Sequence, residues 1–253
     1  LGSEIVPDLL SMKSMITALA FAFCVLANAG MPAERVFWST PTVPGKVTTS
    51  GSEIHFAGDI DAVIATTIVD LIRRDKYDTL KLESDGGDVL AARSIGVALF
   101  DHQMTVVVTG PCRSSCARYI FTAAKQKRIE PDAFVMFSEH QSYHDYVQSL
   151  VQLSEKQKTN GDSALSREER QALYAGRRWV GAEEDYFTKI GVDMRITRLG
   201  YVPGRSVSYW LLTGNRMAEF GVSNVSLPGN YASQDYCDKM KISGILRFDA
   251  QCF

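Results

Sequence analysis

Between Ile54 and Ala124 the apolar positions switch back and forth between a spacing of two and a spacing of three and four. Ile54 to Gly58 alternates as a strand, and Ala62 to Arg74 places Val63, Ile64, Ile68, Leu71 and Ile72 on one side of a helix. Strand Thr79 to Leu82, helix Val89 to Phe100, strand Thr105 to Val108 and helix Ser115 to Ala124 follow, then an apolar strand from Ala133 to Phe137. Such alternation predicts βαβ units and a largely parallel sheet. From Tyr143 to Lys189 the pattern turns polar and helical, with a break over Glu155 to Gly161. A second helix start is marked by Ser166-Arg167-Glu168-Glu169, a capping-box signature. Upstream, Met31 to Gly51 is rich in Pro, Thr and Ser and reads as an extended lead-in without a core of its own.

Two of the predicted strands end in turns that bear chemistry. Leu80-Lys81-Leu82-Glu83 opens into Ser84-Asp85-Gly86-Gly87-Asp88, and Thr105 to Val108 leads to Gly110-Pro111-Cys112-Arg113-Ser114-Ser115-Cys116-Ala117. In a parallel sheet such turns bring backbone N–H groups and helix N-termini to one edge, where an oxyanion can be held and a serine can attack. Acyl transfer is the chemistry this arrangement predicts. Taken alone, a double glycine is a turn and a serine before a helix is an N-cap; the weight lies in the succession of two such turns one crossover apart. Arg113 and Arg118 flank the serine, with Asp85, Asp88 and Glu139 as candidate ion-pair partners.

A chain of 253 residues with 45% hydrophobic and 22% charged content can bury one sizeable core, so one domain of roughly 200 residues with a helical appendage is expected. A net charge of −2 without a polybasic run gives no case for nucleic acid. Neither a P-loop nor a dinucleotide fingerprint is present, and no cofactor is expected. Met12-Lys13, the apolar run Ile16 to Leu26 and Ala27-Asn28-Ala29 read together as a signal peptide with its cleavage site, within residues 1–29. The run is shorter than the roughly 20 residues of a membrane span, so no stable span is expected after cleavage. Cys112, Cys116, Cys237 and Cys252 would remain, and in an oxidising compartment an even number implies disulfides. Of the three connectivities, Cys237 with Cys252 is favoured because it staples a tail rich in Gly, Ser and Asp. Cys112 with Cys116 would then brace the turn around Ser114. A C-x3-C pair without clustered histidine is poor zinc spacing, and no metal is expected.

In this order the motifs resemble the ClpP/crotonase superfamily, and within it a group of periplasmic ClpP-like proteins whose nucleophile region reads G-x-C-x-S-x-C. Ile54 to Ile60 is similar to the opening strand, Ser84 to Val89 to the oxyanion loop, and Gly110 to Ala124 to the nucleophile turn and its helix. Leu212-Thr213 and Met217-Ala218-Glu219-Phe220-Gly221-Val222 are similar to the closing elements, so the resemblance runs from about Ile54 to Val225. It implies an α/β spiral with a mostly parallel sheet, flanking helices and a handle-like helical extension. The expected layout is a lead-in over 30–51, a domain over 52–228 with its helical insertion at about 143–189, and a C-terminal tail over 229–253.

Carried over by position, the resemblance implies Ser114 as nucleophile and the N–H groups of Gly87 and Ser115 as oxyanion donors. A slip of one residue would exchange Ser114 and Ser115. The family's histidine falls at Ser138, and His140 becomes the candidate base because period-two alternation returns it to the same face if the strand continues. His144 falls where a helix is expected. No carboxylate lies between Arg205 and Leu211, which leaves Asp193 as the nearest candidate for the orienting acid and the triad incomplete. Tyr209 and Trp210 are expected to pack in the core. The implied function is an exported serine hydrolase, a peptidase, that acts on a peptide or small acyl substrate and self-associates as a homo-oligomer. The alternative is a catalytically inactive envelope scaffold; the CoA chemistry of crotonases is disfavoured by export.

Overall fold

The computed structural model describes residues 43–246 and 249–253. The expected signal peptide and the first part of the lead-in lie outside the described residues. Two compact units are formed, a helical one over Val147–Val180 and a larger one holding the described residues on either side of it.

The larger unit is α/β. Its nine-stranded sheet has the order β1-β2-β3-β4-β6-β7-β9, with β5 beside β4 and β8 beside β5. β1 (Lys46–Ser50) lies within the span read as lead-in; it pairs antiparallel with β2 (Glu53–Ala57) and forms the sheet edge. β2, β3 (Thr79–Ser84) and β4 (Thr105–Arg113) are parallel, as the crossovers require. β4 then forks. Its lower half, Thr105 to Val108, pairs with β5 (Gln126–Ile129), while Pro111 to Arg113 pair with β6 (Phe134–His140). β6 continues three residues past the expected Phe137, and β7 (Val207–Leu211) joins it antiparallel before β9 (Gln251–Cys252) joins β7 in parallel.

Helix α1 (Ala62–Ile72) starts on Asp61, whose carboxylate accepts the Ile64 N–H, and buries Ile64, Ala65, Ile68, Val69 and Ile72. Val63, expected on that face, is 74% exposed, because the buried stripe is centred one position later. Helix α2 (Val89–Asp101) is capped by Asp88, which accepts from Leu90 and Ala91. The helical unit takes the C-terminal part of α3 (Gln141–Asn160), which continues through most of the break expected over Glu155 to Gly161, and the N-terminal part of α4 (Arg167–Ile190). There the capping box is reciprocal: Ser166 Oγ accepts the Glu169 N–H at 3.1 Å, and Glu169 accepts the Ser166 N–H at 2.7 Å. Short α5 (Gly214–Glu219) and β8 (Val225–Ser226) precede α6 (Gln234–Ile242). The tail is closed by a Cys237–Cys252 disulfide, and Cys112 is bonded to Cys116, the pairing favoured from the sequence. Trp210 is fully buried and stacks on Phe137. Among the described residues, no helix is long and apolar enough to cross a membrane, and no three or more His, Cys, Asp and Glu side chains are grouped so as to hold a metal ion.

Polar burial is concentrated at one place in the larger unit. Glu183, 1% exposed, accepts hydrogen bonds from the hydroxyls of Tyr119 and Tyr143, each at 2.6 Å, and pairs with Arg93 at 3.4 Å. Burial alone would raise the Glu183 carboxyl; Arg118, Arg93 and the two hydroxyls reverse this and hold it below its ordinary value. Replacing Glu183 by alanine leaves a buried guanidinium without its carboxylate and should cost about 3–5 kcal/mol in urea unfolding; a loss below about 1 kcal/mol would contradict this account of the network.

Candidate active site at the strand-end turns

β4 ends at Arg113, and Ser114 makes the turn with φ +52°, a left-handed conformation that costs a residue with a Cβ on the order of 1 kcal/mol or more. The turn is held there from both sides. The Ser114 N–H donates to Met136 O at 3.1 Å and its carbonyl accepts the Arg118 N–H at 2.9 Å, while the Cys112–Cys116 bond spans the turn covalently. The helix that follows is π-helical over Cys116–Phe121, a form that recurs at functional sites. No side chain caps it, so Ser114 is not acting as an N-cap. Ser114 is half-buried, and among the described residues its hydroxyl joins no hydrogen bond. A strained serine at a strand-to-helix turn is the geometry of a nucleophile elbow.

Ser115 behaves differently. It is 1% exposed, and its hydroxyl donates to Gly87 O at 3.1 Å. The two serines thus differ: the hydroxyl of Ser115 is buried and ties the two turns together, whereas Ser114 is half-buried and its hydroxyl has no such bond among the described residues.

The glycine loop sits directly against this turn. A Cβ on Gly86 (φ +104°) would lie 3.0 Å from both Arg113 O and Ser114 Cβ, which only glycine avoids. Ser84, buried at the end of β3, shapes the loop by accepting the Gly86 N–H at 3.1 Å. On the far side Ile60 donates to Gly86 O and accepts from the Asp88 N–H, both at 2.8 Å. Because that bridge uses the peptides flanking Gly87, the N–H and C=O of Gly87 itself point away from Ile60. Its carbonyl takes the Ser115 hydroxyl; its N–H, like that of Ser115 in the first turn of the helix, donates to nothing among the described residues. Two amide donors therefore flank the Ser114 turn, and Gly87 is exposed.

The remaining predicted site residues are not assembled into a relay. Strand β6 does reach His140, so Ser138 and His140 share a face, with Ser138 nearer to the Ser114 level and His140 one pleat repeat further, about 6.6 Å along the strand. His140 is exposed; partial burial of its ring and the charge of Arg118 lower its pKa below the ordinary 6.5. Asp193 caps the short 3₁₀ turn Met194–Thr197, and its carboxylate is engaged by Arg195, which holds it below the usual carboxylate range. His144 stacks on Tyr201 with ring centroids 4.4 Å apart. Arg113 pairs with Asp85 at 2.5 Å, and Arg118 pairs with buried Glu139 at 2.8 Å. Neither the left-handed turn at Ser114 nor the role of Ser84 was visible in the sequence. A serine flanked by Arg and a second serine carries no signature of positive φ.

No protein-family model matches the chain, and no curated protein does. Among solved structures the chain is similar to a ClpP1 mutant from Listeria monocytogenes, with 16% identity, 72% of this chain and 93% of that one covered, and a TM-score of 0.41. It is also similar, in part, to an enoyl-CoA hydratase from Mycobacterium avium subsp. paratuberculosis K-10, with 16% identity, 37% and 47% coverage, and a TM-score of 0.30. The chain thus spans about half the length of that hydratase. Neither likeness carries an argument about activity, which rests on the residues themselves.

The left-handed turn makes a stability prediction that is independent of activity. Ser114→Gly should exceed Ser114→Ala by about 1 kcal/mol in urea unfolding, because glycine alone adopts φ +52° without strain; equal stabilities would mean that the turn relaxes freely.

Proposed function

We propose that the chain is an exported, ClpP-like serine hydrolase acting on peptides or small acyl substrates, with Ser114 as nucleophile and the Gly87 and Ser115 N–H groups as oxyanion donors. The observation that carries this reading is an accessible serine hydroxyl on a strained turn beside two amide donors that have no acceptor of their own among the described residues. Attack by Ser114 Oγ on the acyl carbon places negative charge on the carbonyl oxygen, where each preorganised donor is worth about 3 kcal/mol. His140, one pleat repeat beyond Ser138 along β6, takes the proton, with the gap back to the Ser114 turn bridged by water. With Asp193 engaged by Arg195, His140 works without an orienting acid, as serine sites lacking one triad member still can.

Export is supported by the apolar run Ile16 to Leu26 with Ala27-Asn28-Ala29, and by two disulfides of the kind that an oxidising compartment favours. Self-association belongs to the same reading, and exposed Val151 and Tyr174 on the helical unit are its apolar anchors. The second reading, a catalytically silent envelope scaffold, is favoured by Ser138 standing where the family's histidine would fall and by the engagement of Asp193.

Fluorophosphonate labelling of the oxidised protein, read by intact mass, separates the two. Labelling is expected in the wild type, absent in Ser114→Ala, retained in Ser115→Ala and slowed at least about tenfold in His140→Ala. Because the His140 pKa lies below 6.5 and the base must be neutral, the wild-type rate should stay level through neutrality and fall only on further acidification. An unlabelled, folded wild type would establish the scaffold reading.

A further inference from the structure

The two oxyanion donors sit on different strands' turns, so their separation depends on what ties those turns together. One tie is the Ser115 hydroxyl on Gly87 O. The other is an ion pair placed symmetrically about it: Asp85 lies two residues before Gly87, and Arg113 two residues before Ser115. Arg113 Nη1 donates to Asp85 Oδ1 at 2.5 Å, Nη2 donates to Ile245 O at 3.2 Å, and the guanidinium lies 4.9 Å from the centroid of the Phe134 ring. Its own backbone is fixed in register with Met136 of β6 and is continuous with disulfide-bonded Cys112. Arg113 is therefore anchored to the sheet and to the C-terminal segment, whereas Asp85 belongs to a loop that Ser84 and Ile60 hold at its Gly86 and Asp88 backbone, and Arg113 is what ties the Asp85 side chain itself to the neighbouring turn.

We propose that Arg113 is a positioning residue for catalysis, which by gripping Asp85 sets the Gly86–Gly87 peptide against the Ser114–Ser115 turn and so fixes the spacing of the two oxyanion donors; this rests on the reading of Ser114 as nucleophile. The pair is part-exposed, with Arg113 at 29% and Asp85 at 56% of side-chain accessibility, and such pairs contribute little to folding. Its signature is thus a loss of rate without a loss of fold. Lysine cannot replace the arginine, since a single ammonium does not serve both the Asp85 carboxylate and the Ile245 carbonyl with a planar fork.

The test is fluorophosphonate inactivation, resolved into kinact and KI, for wild type, Arg113→Lys, Asp85→Asn and the double variant. Misplacing one donor is expected to lower kinact about ten- to a hundredfold in each single variant, with KI within about threefold. The double variant should be no slower than the worse single, and thermal midpoints should stay within about 3 °C of wild type. Unchanged kinact, losses that multiply in the double variant, or an effect confined to KI would overturn the proposal. If wild type takes no label, the serine reading fails, and the clamp is judged separately by backbone amide exchange at Gly87 and Ser115. Faster exchange in Asp85→Asn and Arg113→Lys supports the clamp, and unchanged exchange rejects it.

Discussion

Arg93, Arg118, Glu139 and Glu183 are buried together beneath the π helix that follows Ser114, each no more than 8% exposed. Their charges come from α2, the π helix, β6 and α4, so one polar cluster joins four elements that are far apart in sequence. Burying such charges is expensive, and their mutual attraction recovers the cost only in one arrangement. Arg118 is the hub. Burial opposes its charge, but Glu139 and Glu183 raise its pKa, and its guanidinium also donates to Thr197 O. For Glu139 the balance goes the other way, with burial raising its carboxyl more than Arg118 lowers it. Any rotation of the π helix would strand one of these groups without its partner, and the helix carries the Ser114 turn at its start.

That anchoring lets a strained turn persist. Ser114 in the left-handed region would relax if the strand before it or the helix after it could move. β6 holds the strand side through Met136, the buried cluster holds the helix side, and the Cys112–Cys116 bond joins the two. The glycine loop then packs against a fixed surface, which is why a Cβ at Gly86 would come within 3.0 Å of Arg113 O and Ser114 Cβ. Backbone amides held in this way need no reorganisation when negative charge develops, which is the condition for electrostatic preorganisation.

Much of this was legible in the sequence, and the legible parts share a cause. The parallel α/β class, the strands and helices from Ile54 to Phe137 apart from β5, and the capping box at Ser166 follow from local periodicity and local hydrogen-bonding chemistry, and the disulfides from an even count of four cysteines together with a polar tail to staple. The errors arose where burial depends on neighbours distant in sequence. Val63 is apolar and lies next to the buried stripe of α1, but no element covers it. Lys46 to Ser50, within the stretch read as an extended lead-in, is an antiparallel edge strand, which needs only a partner, and that partner, β2, is supplied after the Gly51 turn. The continuation of β6 to His140 was set by β7, which arrives some seventy residues later.

At the site the division is sharper. The sequence alone determined which residue types stand at the two strand ends: two glycines with an acid before them, and two serines between cysteines. It did so because turn chemistry and strand-to-helix punctuation are local. Which serine is accessible, which backbone N–H groups lack acceptors, which acid Arg113 grips and that Asp193 belongs to Arg195 were decided only by the tertiary structure, because burial and hydrogen-bond satisfaction depend on what the rest of the chain brings alongside.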